Sequence, residues 1–338
     1  MEKQTNKKTQ PTELRQDLVT GDWVVIATGR AKRPEDFAAQ KRATVEDDPN
    51  KVCFLCHPEE TGQEKDVLIY KKEDGEWSLR VFPNKYPAFA RSQTPRSYEE
   101  GPYFAMDGTG YSEVIVTRDH ARQIALLDKM EIAEIIDAYQ DRYIDLMNKK
   151  SVNYIEIFHN HGKEAGATAI HPHSQLWAIP VISPYIKSEL DGAENYHRSN
   201  KKCAYCTIVE WETEHKKRMV FENDNFLAFC PFSSRAAFEV WVTPKKHKPY
   251  FERITEGEKI ELAEALQNSI GKIYKALGDP AYNFYIHTSP CDGKDYPHYH
   301  WHIEILPRTA TWAGFEISTG VEISTIQPEA AAEYLKNQ

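Results

Sequence analysis

One pattern occurs twice along the 338 residues of this chain. In each copy an apolar, β-branched run leads to a histidine: Ser112–Thr117 precedes His120, and Phe238–Thr243 precedes His247. A stretch with the apolar spacing of an amphipathic helix follows, then a second strand-like run, a polar loop and a His-x-His sequence. A repeat of this length predicts two halves built on the same plan.

The intervals between corresponding histidines agree in the two copies. His120 and His171 are 51 positions apart, and so are His247 and His298. The interval from the second strand to His171 or His298 is 11 positions in both copies. The spacing therefore predicts that His171 and His298 are equivalent.

The repeat predicts an α+β fold with two duplicated halves, each a mostly antiparallel sheet with helices packed on one face. We expect a flexible tail over residues 1–11, an N-terminal domain over 12–180 and a connection over 181–200. A C-terminal domain over 201–338 ends in a glycine-punctuated tail and a short helix.

Charge and composition restrict the class of protein. The formal charge is −9, and an acidic balance argues against a nucleic-acid partner, which needs a basic surface. No run approaches the roughly 20 apolar residues of a membrane helix, and residues 1–10 have no apolar core typical of a signal peptide. We therefore expect a cytoplasmic protein without a nucleic-acid or membrane partner.

Four of the six cysteines form two CxxC pairs. In a cytosolic protein such pairs indicate metal or redox chemistry rather than disulfides, and distant histidines at matched positions favour metal. The first predicted set is Cys53, Cys56, His120 and His171; the second is Cys203, Cys206, His247 and His298. Two thiolates and two imidazoles suit structural Zn²⁺. A competing carboxylate–histidine site would gather Glu189, His287, His300 and His302.

The run His171-Pro172-His173-Ser174-Gln175 carries the predicted chemistry. Alternate residues of a strand face the same side, so a metal-bound His171 would place His173 on a rigid support. A neutral imidazole can attack phosphorus if an acceptor holds the proton on its other nitrogen. Gln175 can donate to phosphoryl oxygens, and Gly166-Ala167-Thr168 offers an anion-binding turn.

These motifs resemble the galactose-1-phosphate uridylyltransferase family, a branch of the histidine-triad superfamily, in a form with two zinc sites. The resemblance covers almost the whole chain. It includes Thr20–Val24, Arg30–Pro34, Cys53–Cys56, Phe82–Asn84, Asn160, the His-Pro-His-Ser-Gln run and Phe238 to His247.

The resemblance implies a ping-pong reaction in galactose metabolism. His173 would take the uridylyl group from UDP-glucose, and a hexose 1-phosphate would then accept it. The resemblance also implies a homodimer, and it assigns contacts with the nucleotide and its phosphates to Arg30, Arg33, Asn84, Asn160, Thr168 and Gln175.

Three features depart from the best-known members. Those members have glycine where this chain has Ser174, and a glutamine of their tail has Glu322 or a neighbour in its place. They also lack the second CxxC pair and instead bind iron in that half through one glutamate and three histidines. In this chain Glu189 matches that glutamate, and Glu304 stands where those members have the last of the three histidines. A second zinc is therefore expected, with iron as the alternative metal.

The departures are shared with a sister group that uses ADP-glucose and inorganic phosphate. An ADP-glucose phosphorylase-like adenylyltransferase is therefore the nearest alternative, and the residues do not distinguish uracil from adenine. A histidine-triad hydrolase is a second alternative, although such hydrolases usually carry histidine where this chain has Gln175. A zinc protein that binds nucleotides without catalysis is a third.

Overall fold

The computed structural model describes residues 12–27, 37, 52–91 and 95–338. Within them the strands, numbered along the chain, are β1 (Glu13–Gln16), β2 (Trp23–Ile26), β3 (Leu68–Lys71), β4 (Trp77–Pro83), β5 (Ser97–Glu100), β6 (Tyr103–Met106), β7 (Tyr111–Thr117), β8 (Tyr154–His161), β9 (His173–Ile179), β10 (Met219–Glu222), β11 (Phe226–Phe229), β12 (Val240–Pro244), β13 (Tyr282–His287), β14 (His302–Pro307) and β15 (Ile323–Ser324). The α-helices of the same residues are α1 (Lys129–Leu146), α2 (Pro184–Asn200), α3 (Ala204–His215), α4 (Glu256–Leu277), α5 (Gly314–Thr319) and α6 (Pro328–Lys336).

Ten of these strands form one continuous sheet, in the order β10-β11-β12-β14-β13-β8-β9-β7-β4-β3. All nine pairings within it are antiparallel. Each half of the chain supplies five strands, and the halves meet where β8 pairs with β13, with Asn160 opposite Asn283. The structure thus confirms the predicted α+β fold with an antiparallel sheet and duplicated halves.

Helices α1 and α4 occupy corresponding places and pack against the same face of the sheet. Each begins with a capping box, Asp128 with Glu131 and Thr255 with Glu258, which satisfies free backbone N–H groups of the first turn. Their apolar stripes join the side chains of Ile155, Ile157, Leu176, Ile303 and Ile305 in one core. Burial of this shared core, which both halves line, couples their stability.

The opposite face is covered over the C-terminal half. Residues 181–200, expected as the connection, fold largely as α2, which starts at the N-cap Ser183 with Pro184 at its first position. Helices α2 and α3 pack their apolar side chains against Trp241 of β12 and against Tyr299, which lies in the loop before β14. A Cβ atom at Gly192 would lie 1.9 Å from the carbonyl oxygen of Val19, so only glycine permits this approach of α2 to the β1–β2 turn.

The tail returns to the start of the described chain. Strand β15 pairs in parallel with β2, and β1 completes a small three-stranded sheet. Helix α6 confirms the short helix expected near the C-terminus. Across the described residues, no helix combines the length and apolarity needed to cross a membrane.

Candidate active site and metal centres

The first predicted metal set comes together at one end of β7 and β9. The Nδ1 atom of His171 lies 3.3 Å from Cys56 Sγ and 3.7 Å from Cys53 Sγ. The Nδ1 atom of His120 lies 3.2 Å from Cys56 Sγ. The other nitrogen of His171, Nε2, donates its proton to the carbonyl oxygen of Thr117 at 2.7 Å. That hydrogen bond leaves the lone pair of Nδ1 directed at the thiols.

The second set forms with His300, and the prediction of His298 as its fourth member is wrong. His300 and His247 place their Nδ1 atoms 3.6 Å and 3.4 Å from Cys206 Sγ, and Cys203 completes the group. His300 donates from Nε2 to the carbonyl oxygen of Pro244 at 3.0 Å, as His171 does to Thr117. His298 lies outside this group of candidate ligands.

An insertion explains the error. The strand registers match Phe158–Gln175 in the first half with Tyr285–Glu304 in the second, so His300 corresponds to His171. His247 and His300 are 53 positions apart, two more than His120 and His171, because the connection between β13 and β14 is longer. The equal spacing to His298 was a coincidence created by the adjacent His-x-His-x-His sequence.

Both thiol–imidazole groups have the dimensions of a tetrahedral zinc site. Zn–S bonds of about 2.3 Å and Zn–N bonds of about 2.0 Å give ligand-to-ligand separations of about 3.3–3.8 Å. Five thiol–imidazole contacts of the two groups run from 3.2 to 3.7 Å. The residues present therefore fit a four-coordinate metal ion in both halves.

A third group of candidate ligands lies buried between α2 and the sheet: Glu189, His287, His302 and Glu304. The carboxylate–histidine alternative named from the sequence had His300 where the structure has Glu304. His287 Nδ1 donates to Glu189 at 3.0 Å, and Tyr299 also donates to Glu189. Arg235 donates to Glu304.

The charges of this third group balance without a metal ion. Burial alone would lower the pKa of His287, but the carboxylates of Glu189 and Glu304 outweigh it and raise that pKa to about 9. Burial opposes ionisation of both carboxyls, yet Arg235 beside Glu304 and His287 beside Glu189 hold both pKa values below the ordinary value. Two anions thus face two cations.

His173 lies at the start of β9, half-buried, two residues beyond His171. Its Nδ1 donates to the carbonyl oxygen of His171 at 3.0 Å, so the lone pair resides on Nε2. Burial lowers the pKa of His173 below 6.5, although this backbone hydrogen bond partly opposes the shift. The imidazole is therefore neutral at pH 7, which is the form that can act as a nucleophile.

Two amide side chains accompany His173 on the same face of the sheet. The Oε1 atom of Gln175 accepts a hydrogen bond from the indole N–H of Trp177 at 3.1 Å. The Oδ1 atom of Asn160, on β8, accepts one from Asn283 Nδ2 at 2.7 Å. The sequence did not single out Trp177, although its place two residues after Gln175 on a strand put it on this face. Asn283 gave no signal, because it reaches the site only through the β8–β13 pairing.

The other predicted substrate contacts are more dispersed. Thr168 lies exposed in the loop before β9. Asn84 follows β4, and its backbone N–H donates to the carbonyl oxygen of Ser112 on β7. Ser112 lies opposite Trp177 of β9, so Asn84 is attached to the sheet beside Trp177 and not beside His173. Arg30 and Arg33 lie outside the described residues.

A buried network missed by the sequence analysis lies behind the nucleophile strand. Ser174 points away from His173 into the core, where its Oγ lies 2.5 Å from the hydroxyl of Tyr139 and 3.1 Å from His159 Nδ1. All three side chains are buried, and burial keeps His159 neutral by lowering its pKa well below 6.5. The network fixes β9 from the side opposite the site.

Comparison with known proteins places this arrangement among nucleotidyltransferases. A family profile described as galactose-1-phosphate uridyl transferase, N-terminal domain, matches residues 1–183, and a domain of unknown function matches 109–338. ADP-glucose phosphorylase of Arabidopsis thaliana is 34% identical over 97% of this chain and 93% of its own length. Galactose-1-phosphate uridylyltransferase of Thermotoga maritima is 30% identical over 96% of this chain and 98% of its own length.

Solved structures agree with the sequence comparisons. The crystal structure of the Arabidopsis ADP-glucose phosphorylase with bound ADP-glucose superimposes with a TM-score of 0.82 at 31% identity, covering 97% of this chain and 99% of that one. A uridylyltransferase structure gives a TM-score of 0.74 at 25% identity, covering 96% and 97%. This chain belongs to the galactose-1-phosphate uridylyltransferase family. The membership confirms the family and the enzyme class predicted from the sequence.

Proposed function

We propose that this protein transfers a nucleoside monophosphate through a covalent intermediate on His173. The observation that carries the proposal is the 3.0 Å hydrogen bond from His173 Nδ1 to the His171 carbonyl, which leaves Nε2 unprotonated. His173 lies on the partly exposed face of β9. His171 itself is held by thiols and by Thr117, so the nucleophile stands on a fixed support. Preorganisation of this kind lowers the cost of reaching the attacking geometry.

In the first step Nε2 of His173 attacks the α-phosphorus of a sugar nucleotide. A nitrogen–phosphorus bond forms, the bond from that phosphorus to the bridging oxygen breaks, and the sugar 1-phosphate leaves with the electron pair. In the second step a phosphate oxygen of the acceptor attacks the same phosphorus, and Nε2 regains its lone pair. The proton stays on Nδ1 throughout, and the hydrogen bond that the His171 carbonyl accepts from it stabilises the positive charge on the substituted ring.

The substrates we propose are UDP-glucose and a hexose 1-phosphate, in galactose metabolism. The Thermotoga maritima relative is named for galactose 1-phosphate uridylyl transfer and spans 96% of this chain. We assign Gln175 and Asn160 to the phosphoryl oxygens as neutral donors, and Asn84 and Thr168 to the nucleotide. Arg30 and Arg33 would add charge-assisted hydrogen bonds to the phosphates.

A second candidate is transfer of an adenylyl group from ADP-glucose to inorganic phosphate. The observation that favours it is the 34% identity with the Arabidopsis ADP-glucose phosphorylase, together with the TM-score of 0.82 to that structure. The chemistry at His173 would be the same, and only the base and the acceptor would differ.

We further propose zinc in both thiol–imidazole groups. The two groups offer the same donor atoms at similar separations, so the second should bind zinc rather than iron. A bound zinc would supply structural cross-linking of strands and loops, because four protein ligands leave no open coordination position.

Three broader expectations also remain proposals: the domain division at residues 181–200, a homodimer, and a cytoplasmic location. None of the six cysteines forms a disulfide, and four of them belong to the thiol–imidazole groups, which suits a reducing compartment. Sedimentation equilibrium of the purified protein checks the dimer.

The decisive experiment records the intact mass of the protein after incubation with UDP-glucose or ADP-glucose without an acceptor, at mildly alkaline pH. A UMP adduct on the wild type, absent from His173→Ala, supports uridylyl transfer. An AMP adduct supports the second candidate. Free nucleoside monophosphate without an adduct would indicate a hydrolase, and no adduct with either sugar nucleotide contradicts the proposal.

A further inference from the structure

The two amides beside His173 have their oxygen atoms occupied by protein donors. Trp177 Nε1 donates to Gln175 Oε1 at 3.1 Å, and Asn283 Nδ2 donates to Asn160 Oδ1 at 2.7 Å. An indole N–H and an amide NH₂ are donors only, so each can bind only the oxygen end of the neighbouring amide. The NH₂ ends of Gln175 and Asn160 are thereby turned away from their protein partners.

Both amide orientations are held by further contacts. The indole of Trp177 packs edge-on against Phe89 and Phe158, with ring centroids 5.8 and 5.6 Å away. The same NH₂ group of Asn283 that binds Asn160 also donates to the carbonyl oxygen of Ala165 at 2.8 Å. A flip of either site amide would place two donors face to face and leave a half-buried group without its hydrogen bond.

We propose that Trp177 and Asn283 are positioning residues that direct the NH₂ groups of Gln175 and Asn160 toward the transferring phosphoryl group. Gln175 follows His173 by two residues on β9, and Asn160 continues β8 beyond the His159–Ser174 pair, so both amides flank the nucleophile. A phosphoryl group accepts hydrogen bonds and offers none, so an amide that presents its oxygen would repel it. The inference rests on the proposed function, because it assumes that a phosphoryl group binds at His173.

Asn283 gives the C-terminal half a part in this site. It belongs to β13, opposite Asn160 in the strand register, and it is the contact through which the second half orients a predicted substrate-binding residue. The chemistry of the first half would therefore depend on the pairing of the two halves.

The first test replaces Trp177 by phenylalanine, which keeps the ring and removes the N–H. We expect the rate of adduct formation at saturating sugar nucleotide to fall about 5–10-fold, the effect of one lost neutral hydrogen bond, with little change in the half-saturating concentration. Trp77→Phe is the matched control, because Trp77 lies in the same sheet on β4, and we expect wild-type rates from it.

The second test replaces Asn283 by aspartate, which keeps the shape but offers only acceptors. The Asn160 amide should then rotate, donate to the new carboxylate and present its oxygen to the phosphoryl group. We expect a fall of about 10–100-fold in the same rate. Asn283→Ser, which retains a donor, should recover part of it and guards against a folding defect, which thermal melting would reveal.

Double variants separate positioning from general damage. In the Gln175→Ala background, Trp177→Phe should cost no further rate, and in the Asn160→Ala background Asn283→Asp should cost little. The indole ¹⁵N–¹H resonance of Trp177 should shift in Gln175→Ala, which tests the contact without any turnover. Additive losses, or an unmoved resonance, would overturn the inference while wild-type adduct formation still upheld the proposed function. Absence of the adduct from the wild type would instead remove the proposed function.

Discussion

The two halves contain equivalent strands and equivalent thiol–imidazole groups, but the histidine that follows each group has different surroundings in the two halves. His173 and His302 each follow a candidate metal ligand by two residues and donate from Nδ1 to its carbonyl, at 3.0 and 3.2 Å. His173 is half-buried with Nε2 on an open face, whereas His302 is fully buried beneath α2. The Nε2 atom of His302 lies 3.5 Å from a carboxylate oxygen of Glu304, which occupies the position of Gln175.

The two histidines therefore share their backbone support and differ in their surroundings. The support fixes the imidazole and its tautomer in both halves. The two histidines differ in their exposure to solvent and in the side chain two residues further on. His173 is half-buried beside the neutral amide of Gln175, whereas His302 is covered by α2 and lies beside the carboxylate of Glu304. A carboxylate would repel an incoming phosphate, so the second half is suited to stability rather than to phosphoryl chemistry.

The largest difference between the halves should appear when His173 and His302 are replaced by alanine in two separate variants. We expect His173→Ala to abolish adduct formation, by at least about 10³-fold, because it removes the nucleophile. His302→Ala should keep adduct formation within a few-fold and lower the melting temperature instead. Intact mass and thermal melting distinguish the two, and an adduct lost equally in both variants would break the comparison.

The two metal groups should differ next. Cys53→Ser and Cys203→Ser should each remove one zinc per chain, measured by elemental analysis, from a wild-type content of two. The His171 carbonyl accepts the hydrogen bond from His173 Nδ1, and His171 belongs to the same candidate metal group as Cys53. We therefore expect Cys53→Ser to slow adduct formation about 10-fold or more and Cys203→Ser to slow it much less. A wild-type content of three metals would show that the Glu189 group also binds an ion.

The buried charges of the second half predict a pH dependence of stability. The pKa of His287 is about 9 in the fold and about 6.5 when unfolded, so its contribution is complete below pH 6.5 and is lost as pH rises through 9. We expect a loss on the order of 2–3 kcal/mol between pH 6.5 and 9.5 from this group. The groups that face His287 are Glu189, Tyr185, Glu304, His302, Tyr285 and Glu156.

Urea unfolding at the two pH values measures this loss, with His287→Gln as the comparison. The variant should be less stable at pH 6.5 but should lose less stability on going to pH 9.5. An identical loss in both proteins would contradict the charge assignment of the Glu189 group.

The smallest expected difference concerns the free energy of unfolding and the core-facing side chains of the equivalent strands β9 and β14. Ser174 belongs to a buried hydrogen-bond network, whereas Ile303 occupies the matching place in the second half. Ser174→Ala should cost about 1–3 kcal/mol, because it leaves Tyr139 and His159 unpaired, and Ile303→Val about 1 kcal/mol from lost packing. Urea unfolding measures both, and equal adduct rates in the two variants would limit the Ser174 network to stability.

Local patterns fixed much of this architecture in advance. The sequence predicted strands β7 and β12 and helices α1 and α4 correctly. It could do so because alternation and 3.6-residue periodicity depend only on residues close together in the chain. The CxxC pairs could be recognised from their short spacing, and the first histidine set could be recognised because the same pattern of residues occurs twice in the chain. The His-Pro-His-Ser-Gln run marked the candidate nucleophile.

The amino-acid sequence by itself determined the duplication, the antiparallel α+β plan and the residue types of the thiol–imidazole groups and of the candidate site around His173. Only the tertiary structure decided that His300 rather than His298 faces the thiols, because a two-residue insertion in a loop alters spacing without altering the fold. Tertiary structure alone also brought Asn283 to Asn160 and placed α2 over His302. These contacts join residues more than 100 positions apart, and their partners are chosen by strand register and helix packing rather than by any local pattern.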